Sequence, residues 1–185
     1  MPKFHLLSAG YGGDRVASTV SLVECESSLI VIDPGMVAST SVILDPIREL
    51  GRAPEEVTDV IISHHHPDHT INIALFPNAR VHDHWAVYKD DQWTKRPAEG
   101  FEVGDGVTLW ETPGHTAQDI TTIVEDGDQT IAFTHLWWYE TAPFDDPICT
   151  DPAGLHICRE RVLEVATLIV PGHGEPFIPG DSTSR

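Results

Sequence analysis

Short apolar runs broken by glycine, proline and acidic residues recur along the chain, and most are too short for anything but strands. Residues 4–8 and 18–24 predict strands on either side of a glycine-rich loop at 9–13. Residues 29–33 predict a third strand, stopped by Pro34-Gly35. Residues 59–63 predict a strand covered on both faces, from the apolar run Val60-Ile61-Ile62 at its centre. Further strands are predicted at 80–82, 107–111, 119–125, 130–134 and 167–170, with Asp126-Gly127 as a hairpin turn. Within 107–111 the pattern is partial, because Glu111 shares the parity of Val107 and Leu109.

Helical spacing is rarer. Ile43, Ile47 and Leu50 lie on one stripe that Gly51 would end, although Pro46 leaves its start open. Pro67 suits the first turn of a helix running to about Leu75, since that position needs no amide hydrogen. A last helix opens at Asp151-Pro152 and sets Leu155, Cys158, Val162 and Val165 on one face. The order, strands then helix, strands then helix, predicts an α+β fold. Two β-rich halves, each covered by helices, would stack as a four-layer α/β/β/α sandwich within one domain over residues 1–185.

Composition narrows the function classes. Eleven Lys and Arg stand against 29 Asp and Glu, a net charge of −18, and no basic stripe offsets it. Such a chain repels phosphate backbones at long range, which weighs against a nucleic-acid partner. No apolar stretch approaches the roughly 20 residues of a membrane span, and the N-terminus lacks the apolar run of an export signal. The expected location is cytoplasmic. Cys25, Cys149 and Cys158 are odd in number and lack C-x-x-C spacing, so free thiols are expected.

The chemistry is concentrated in four segments: Ser-His-His-His-Pro-Asp-His at 63–69, Thr-Pro-Gly-His-Thr at 112–116, Phe-Thr-His at 133–135 and Pro-Gly-His-Gly at 171–174. His64, His66, Asp68 and His69 form H-x-H-x-D-H, with Asp68 and His69 in the predicted first helical turn. Imidazoles with one carboxylate suit zinc and neighbouring first-row metals, whereas calcium and magnesium prefer oxygen shells. A metal site is expected, of one or two ions. His65 should point away from its neighbours, and His82, His84, His5 and His156 are expected to play surface or structural roles.

Together, H-x-H-x-D-H after an apolar strand, the later Gly-His-Thr, the terminal Pro-Gly-His-Gly and an early Asp33-Pro34-Gly35 resemble the metallo-β-lactamase superfamily. The resemblance spans nearly the whole chain. The segment from Arg161 to Phe177 looks most like the small metallo-β-lactamase domain-containing protein 1 group. The fold it implies is the four-layer αββα metallo-β-lactamase sandwich. The ligands it implies are His64, His66 and His115 for one metal and Asp68, His69 and His173 for the second. A bridging hydroxide would be the nucleophile, Asp68 would also steer a proton, and Asp33 would orient a ligand imidazole from behind. Zinc is the expected cofactor, with iron or manganese as alternatives.

One position departs from the family pattern. Where the family carries an aspartate that bridges both metals, this chain aligns His135, and a neutral imidazole offers only one lone pair. One site is therefore expected to be weaker, or His135 to serve a single metal. Trp137, Trp138 and Tyr139 follow directly and are expected to contact substrate, and Tyr11-Gly-Gly-Asp14 is expected to form a flap over the site. The reading is a metal-dependent hydrolase of a small molecule's ester, thioester, lactone or amide bond. Rivals are a phosphodiesterase or ribonuclease of the same fold, a mononuclear iron sulfur dioxygenase, and a degenerate metal-binding protein. An exposed aromatic loop would allow a homodimer.

Overall fold

Two mixed sheets face each other in the computed structural model of the protein, which describes residues 1–141 and 144–185. The first sheet runs in sequence order through β1 (Lys3–Ser8), β2 (Val20–Glu24), β3 (Leu29–Ile32), β4 (Asp59–Ile61), β5 (Arg80–His82), β6 (Ala86–Lys89) and β7 (Gln92–Lys95). The second contains β8 (Phe101–Gly104), β9 (Val107–Glu111), β10 (Ile120–Asp126), β11 (Gln129–Thr134) and β12 (Leu168–Pro171), in the spatial order β12-β11-β10-β9-β8. Pairing is parallel for β3-β4, β4-β5 and β11-β12, and antiparallel elsewhere.

Three apolar layers hold the sandwich together. Between the sheets, Ile30, Ile32 and Ile61 meet Leu109, Val124, Ile131 and Phe133. The outer face of the first sheet packs through Val31 and Val60 on Ile43 and Ile47 of α1 (Ser41–Glu49). The outer face of the second packs through Ala132 and Ile169 on Leu155, Cys158 and Val162 of α3 (Pro152–Leu163). These are the four layers expected from the order of elements, and strands buried on both faces explain why 29–32 and 60–62 read as continuous apolar runs.

Several boundaries differ from the sequence reading, each for a local reason. The helix expected over 67–75 is a single turn, α2 (Pro67–Thr70), followed by a 3-10 turn at Ile73–Leu75. Between them Asn72 is captured by the β3–α1 loop: its backbone N–H donates to Pro34 O at 2.9 Å and its side-chain amide to Gly35 O at 2.6 Å. Leu50 and Val165 are 38% and 39% exposed, because each lies just past its helix's end, where the stripe loses phase. The β10–β11 turn comprises Gly127 and Asp128, with Asp126 paired to Gln129. Asp151 caps α3, accepting from the Gly154 N–H at 2.9 Å. All three cysteines are free.

Strands β6, β7 and β8 have no counterpart in the sequence reading. They are four residues each, and every residue of β7 is exposed, so no periodicity could announce them. No helix among the described residues is long and apolar enough to cross a membrane.

The site is prepared where the sheets are stitched at one edge. There the Ile120 N–H donates to Ser63 O at 2.9 Å and the Thr19 N–H to Gly172 O at 2.8 Å. Loops following β3, β4, β9, β11 and β12 all empty onto that edge, so rigid strands fix short loops carrying the polar side chains.

Candidate metal centre

Six imidazoles and four carboxylates collect at this edge. His64, His66 and His69 come from the β4–α2 loop and α2, His115 from the β9–β10 loop, His135 from the end of β11, and His173 from the loop after β12. The donor atoms of His64, His66 and His115 lie within 4.8 Å of one another, and so do those of Asp68, His69 and His173. His64 Nε2 is 3.0 Å from His66 Nδ1, which is 3.2 Å from His115 Nε2. Asp68 Oδ2 is 3.5 Å from His69 Nε2 and 3.6 Å from His173 Nε2. The two triads expected from the resemblance are therefore brought together in space.

Outer hydrogen bonds assign the tautomers. Asp33 Oδ2 accepts from the Ser63 hydroxyl at 2.7 Å and from His69 Nδ1–H at 2.9 Å, while its Oδ1 takes the Ser63 N–H at 2.7 Å. Having donated its proton, the Ser63 oxygen accepts from His64 Nδ1–H at 3.0 Å. His115 Nδ1–H donates to Asp146 Oδ2 at 2.7 Å, and His173 Nδ1–H to the Ala17 carbonyl at 2.9 Å. With Nδ1 of His64, His69, His115 and His173 protonated, their four Nε2 lone pairs turn inward. Asp33 holds this post with φ at 51°, a left-handed conformation that aspartate tolerates better than most residues.

Lone pairs facing lone pairs repel unless a cation sits among them. His69 Nε2 and His135 Nδ1 are buried with no hydrogen-bond partner among the described residues, and no lysine or arginine lines the cavity above them. Burial, then the neighbouring imidazoles, push the His64 and His135 pKa values well below the ordinary 6.5. His66 and His173 are lowered for the same first cause. Close by, burial raises Asp119 to about 6 against the opposing hydrogen bonds from Thr116. The donor set thus fits a divalent cation of the zinc type, which needs neutral imidazoles.

The lowered imidazoles, His64, His66, His135 and His173, stay neutral below their usual titration range, so protons compete poorly for these four. Zinc affinity of the metal-free protein should change less than about threefold between roughly pH 7.5 and 6.5. A steep fall across that interval, measured by competition with a chelator of known affinity, would show that the imidazoles titrate normally.

His135 occupies the middle of the cluster. Its Nε2 is 3.0 Å from His173 Nε2, and its ring centroid lies 4.1 Å from that of His115 and 4.7 Å from that of His64. Gly172 makes room for it, since a Cβ there would collide with the His135 ring.

Above the imidazoles opens a cavity of about 250 Å³, floored by His66, Asp68, His115 and His173. Gly12, Gly13 and Val16 form one wall, and Trp138 and Ile148 the other. A model of the metallo-beta-lactamase superfamily matches residues 13–174, from this wall to the glycine after His173. The chain belongs to the metallo-beta-lactamase superfamily.

Its relatives agree with the narrower resemblance of the C-terminal segment. Metallo-beta-lactamase domain-containing protein 1 of Mus musculus is 32% identical over 176 residues, covering 90% of this chain and 65% of the relative. The Homo sapiens protein of that name is 32% identical over 177 residues, covering 91% and 65%. The chain therefore spans 65% of the length of these two superfamily members. Among solved structures, a Thermotoga maritima protein provisionally described as a metallo-beta-lactamase superposes with a TM-score of 0.76 at 21% identity, covering 96% of this chain and 99% of its own. A quorum-quenching N-acyl homoserine lactone lactonase superposes at 0.65 with 19% identity, covering 93% and 91%. At these identities the likeness establishes the superfamily's sandwich fold.

Trp138 faces the cavity, whereas Trp137 is fully buried against Phe177, with its indole N–H on Ser184 O at 2.9 Å. Trp137 is thus a core residue in this superfamily member. Tyr139 is 39% exposed and packs near Gly174, off the cavity wall. Of the 11–14 segment, Gly12 and Gly13 line one cavity wall, and backbone bonds between Tyr11 and Ala17 in both directions tie down its base. His65 points away and meets Asp83 Oδ2 at 3.1 Å. His82 is buried on Asp59, at 2.7 Å from Oδ1. Sequence reading overlooked Ser63, Asp119 and Asp146. Asp146 lies in an irregular loop, where no periodicity or spacing marks it.

Proposed function

We propose that this protein is a metal-dependent hydrolase that cleaves an acyl bond (ester, thioester, lactone or amide) in a small molecule. The observation that carries this reading is the convergence of the two triads at the floor of one narrow cavity. His64, His66 and His115 would hold one divalent ion, and Asp68, His69 and His173 a second, with His135 in reach of either. Zinc fits the nitrogen-rich set best, with iron or manganese as alternatives. Such an ion supplies Lewis acidity toward a carbonyl oxygen and brings the pKa of water down to near 7.

The chain's own residues do the rest. Asp68 is partly exposed on the floor, and its carboxylate is placed to accept a proton released during attack. Asp33 and Ser63 keep His64 and His69 from rotating, so the geometry is fixed before substrate arrives. Trp138, Ile148 and Val16 offer apolar walls to the acyl portion and shed water from it. Gly12 and Gly13, lacking side chains, let a substrate approach the backbone closely. A cavity of about 250 Å³ admits a small acyl group but not a folded polymer, and the charge of −18 disfavours polyanions.

The test is a panel of small esters, thioesters, lactones and amides assayed with zinc-loaded protein. Turnover of at least one should fall by roughly 100-fold or more on chelation and return on adding zinc back. Stoichiometric zinc without turnover of any acyl substrate would overturn the hydrolase reading while leaving the metal centre intact.

A further inference from the structure

One carboxylate in the irregular loop before α3 ties a candidate metal ligand to the cavity wall. Asp146 is 7% exposed, and its Oδ2 accepts from both His115 Nδ1–H at 2.7 Å and Trp138 Nε1–H at 2.9 Å. Its Oδ1 accepts from the backbone N–H of Ile148 at 3.0 Å. All three partners, His115, Trp138 and Ile148, line the cavity.

We propose that Asp146 is a positioning residue that holds His115 with its Nε2 lone pair toward the metal site and, through the same oxygen, sets the Trp138–Ile148 wall according to whether metal is bound. Asp146 Oδ2 sits on the Nδ1 side of the His115 ring, and the Nε2 atom of that ring faces His66. The carboxylate therefore acts on the imidazole from behind. A cation at Nε2 withdraws electron density from the imidazole and makes Nδ1–H a stronger donor. The shared oxygen then draws toward His115, and the indole bonded to it must adjust. Trp138 is consequently placed by metal occupancy as well as by packing. Its ring centroid lies 6.0 Å from that of His115 and 5.6 Å from that of His173, with no other polar tether for its indole N–H among the described residues.

Only the metal-dependent half of this inference rests on the proposed function, and the experiment separates the two. Histidine-labelled, metal-free protein is examined by nitrogen NMR. In the wild type His115 should be protonated at Nδ1, and Asp146→Ala should populate the Nε2–H form as well. Zinc is then titrated while tryptophan fluorescence is followed. The wild type should show a zinc-dependent change that Trp138→Phe abolishes and Asp146→Ala largely removes. Zinc affinity in Asp146→Ala should drop on the order of 10- to 100-fold.

Asp146→Asn guards against a folding artefact. It keeps an oxygen for His115 and Trp138 while removing the charge and setting a second donor against the Ile148 N–H. The Nδ1–H form should persist in that variant, with zinc affinity between those of wild type and Asp146→Ala. The inference is overturned if wild-type His115 is protonated at Nε2, or if Asp146→Ala leaves tautomer, affinity and fluorescence response unchanged. If the wild type takes up no zinc, the proposed function fails, and the tautomer comparison alone still decides whether Asp146 positions His115.

Discussion

His64→Ala should abolish turnover, by on the order of 1,000-fold or more, and should lower the zinc bound per chain. His64 is the hub of the cluster. Its ring centroid lies 4.3 to 5.0 Å from those of His66, His69, His115 and His135, and its Nε2 is one corner of the first triad. Removing it leaves His66 and His115 as the two nitrogens of that triad, fewer than the three protein ligands a catalytic zinc needs. His65→Ala, one position along, provides the contrast. Its imidazole is directed at Asp83 and stacks near Trp85, so metal content and turnover should stay within about twofold of wild type. Elemental analysis and steady-state kinetics on the pair check both expectations. Full activity in His64→Ala would remove the metal centre from the proposed chemistry.

Gly35→Ala should produce the largest loss of stability, about 3 kcal/mol or more. A Cβ on Gly35 would overlap the carbonyl of Asp68 and crowd the Cα of His69, because the loop after β3 lies directly against α2. The Met36 N–H donates to that same Asp68 carbonyl at 2.9 Å, so neither backbone can retreat without breaking the contact. Since Asp68 and His69 belong to the second triad, the displacement should also reduce metal binding there. Gly51→Ala offers the comparison. That glycine has φ at 75° with nothing near its would-be Cβ, so only the left-handed backbone is penalised, about 1–2 kcal/mol. Chemical denaturation of both variants tests the ordering. Equal losses would show that the close approach at Gly35 is relaxed in solution.

Buried strands and paired donor residues were easy to read because their signals are local. Residues 29–32 and 60–62 are apolar throughout since both faces are covered, and H-x-H-x-D-H keeps four donors within six residues. Elements at the rim were not legible. β7 is wholly exposed and four residues long, and α2 stops after one turn because Asn72 finds partners on a loop more than thirty residues earlier. Trp137 and Trp138 show the same limit. Adjacent and chemically alike, one fills the core and the other faces the cavity, a division made by Phe177 and Asp146 from elsewhere in the chain.

By itself, the chain's order of residues determined the layer architecture, the identity of the donor groups and the loops that carry them, because apolar periodicity and donor chemistry are properties of near neighbours. Only the tertiary structure decided which nitrogen of each imidazole faces inward, which aspartates stand behind them and where His135 sits. Those choices depend on hydrogen bonds between residues far apart in the chain, such as Asp33 with His69 and Ala17 with His173, which exist only once the two sheets have closed on each other.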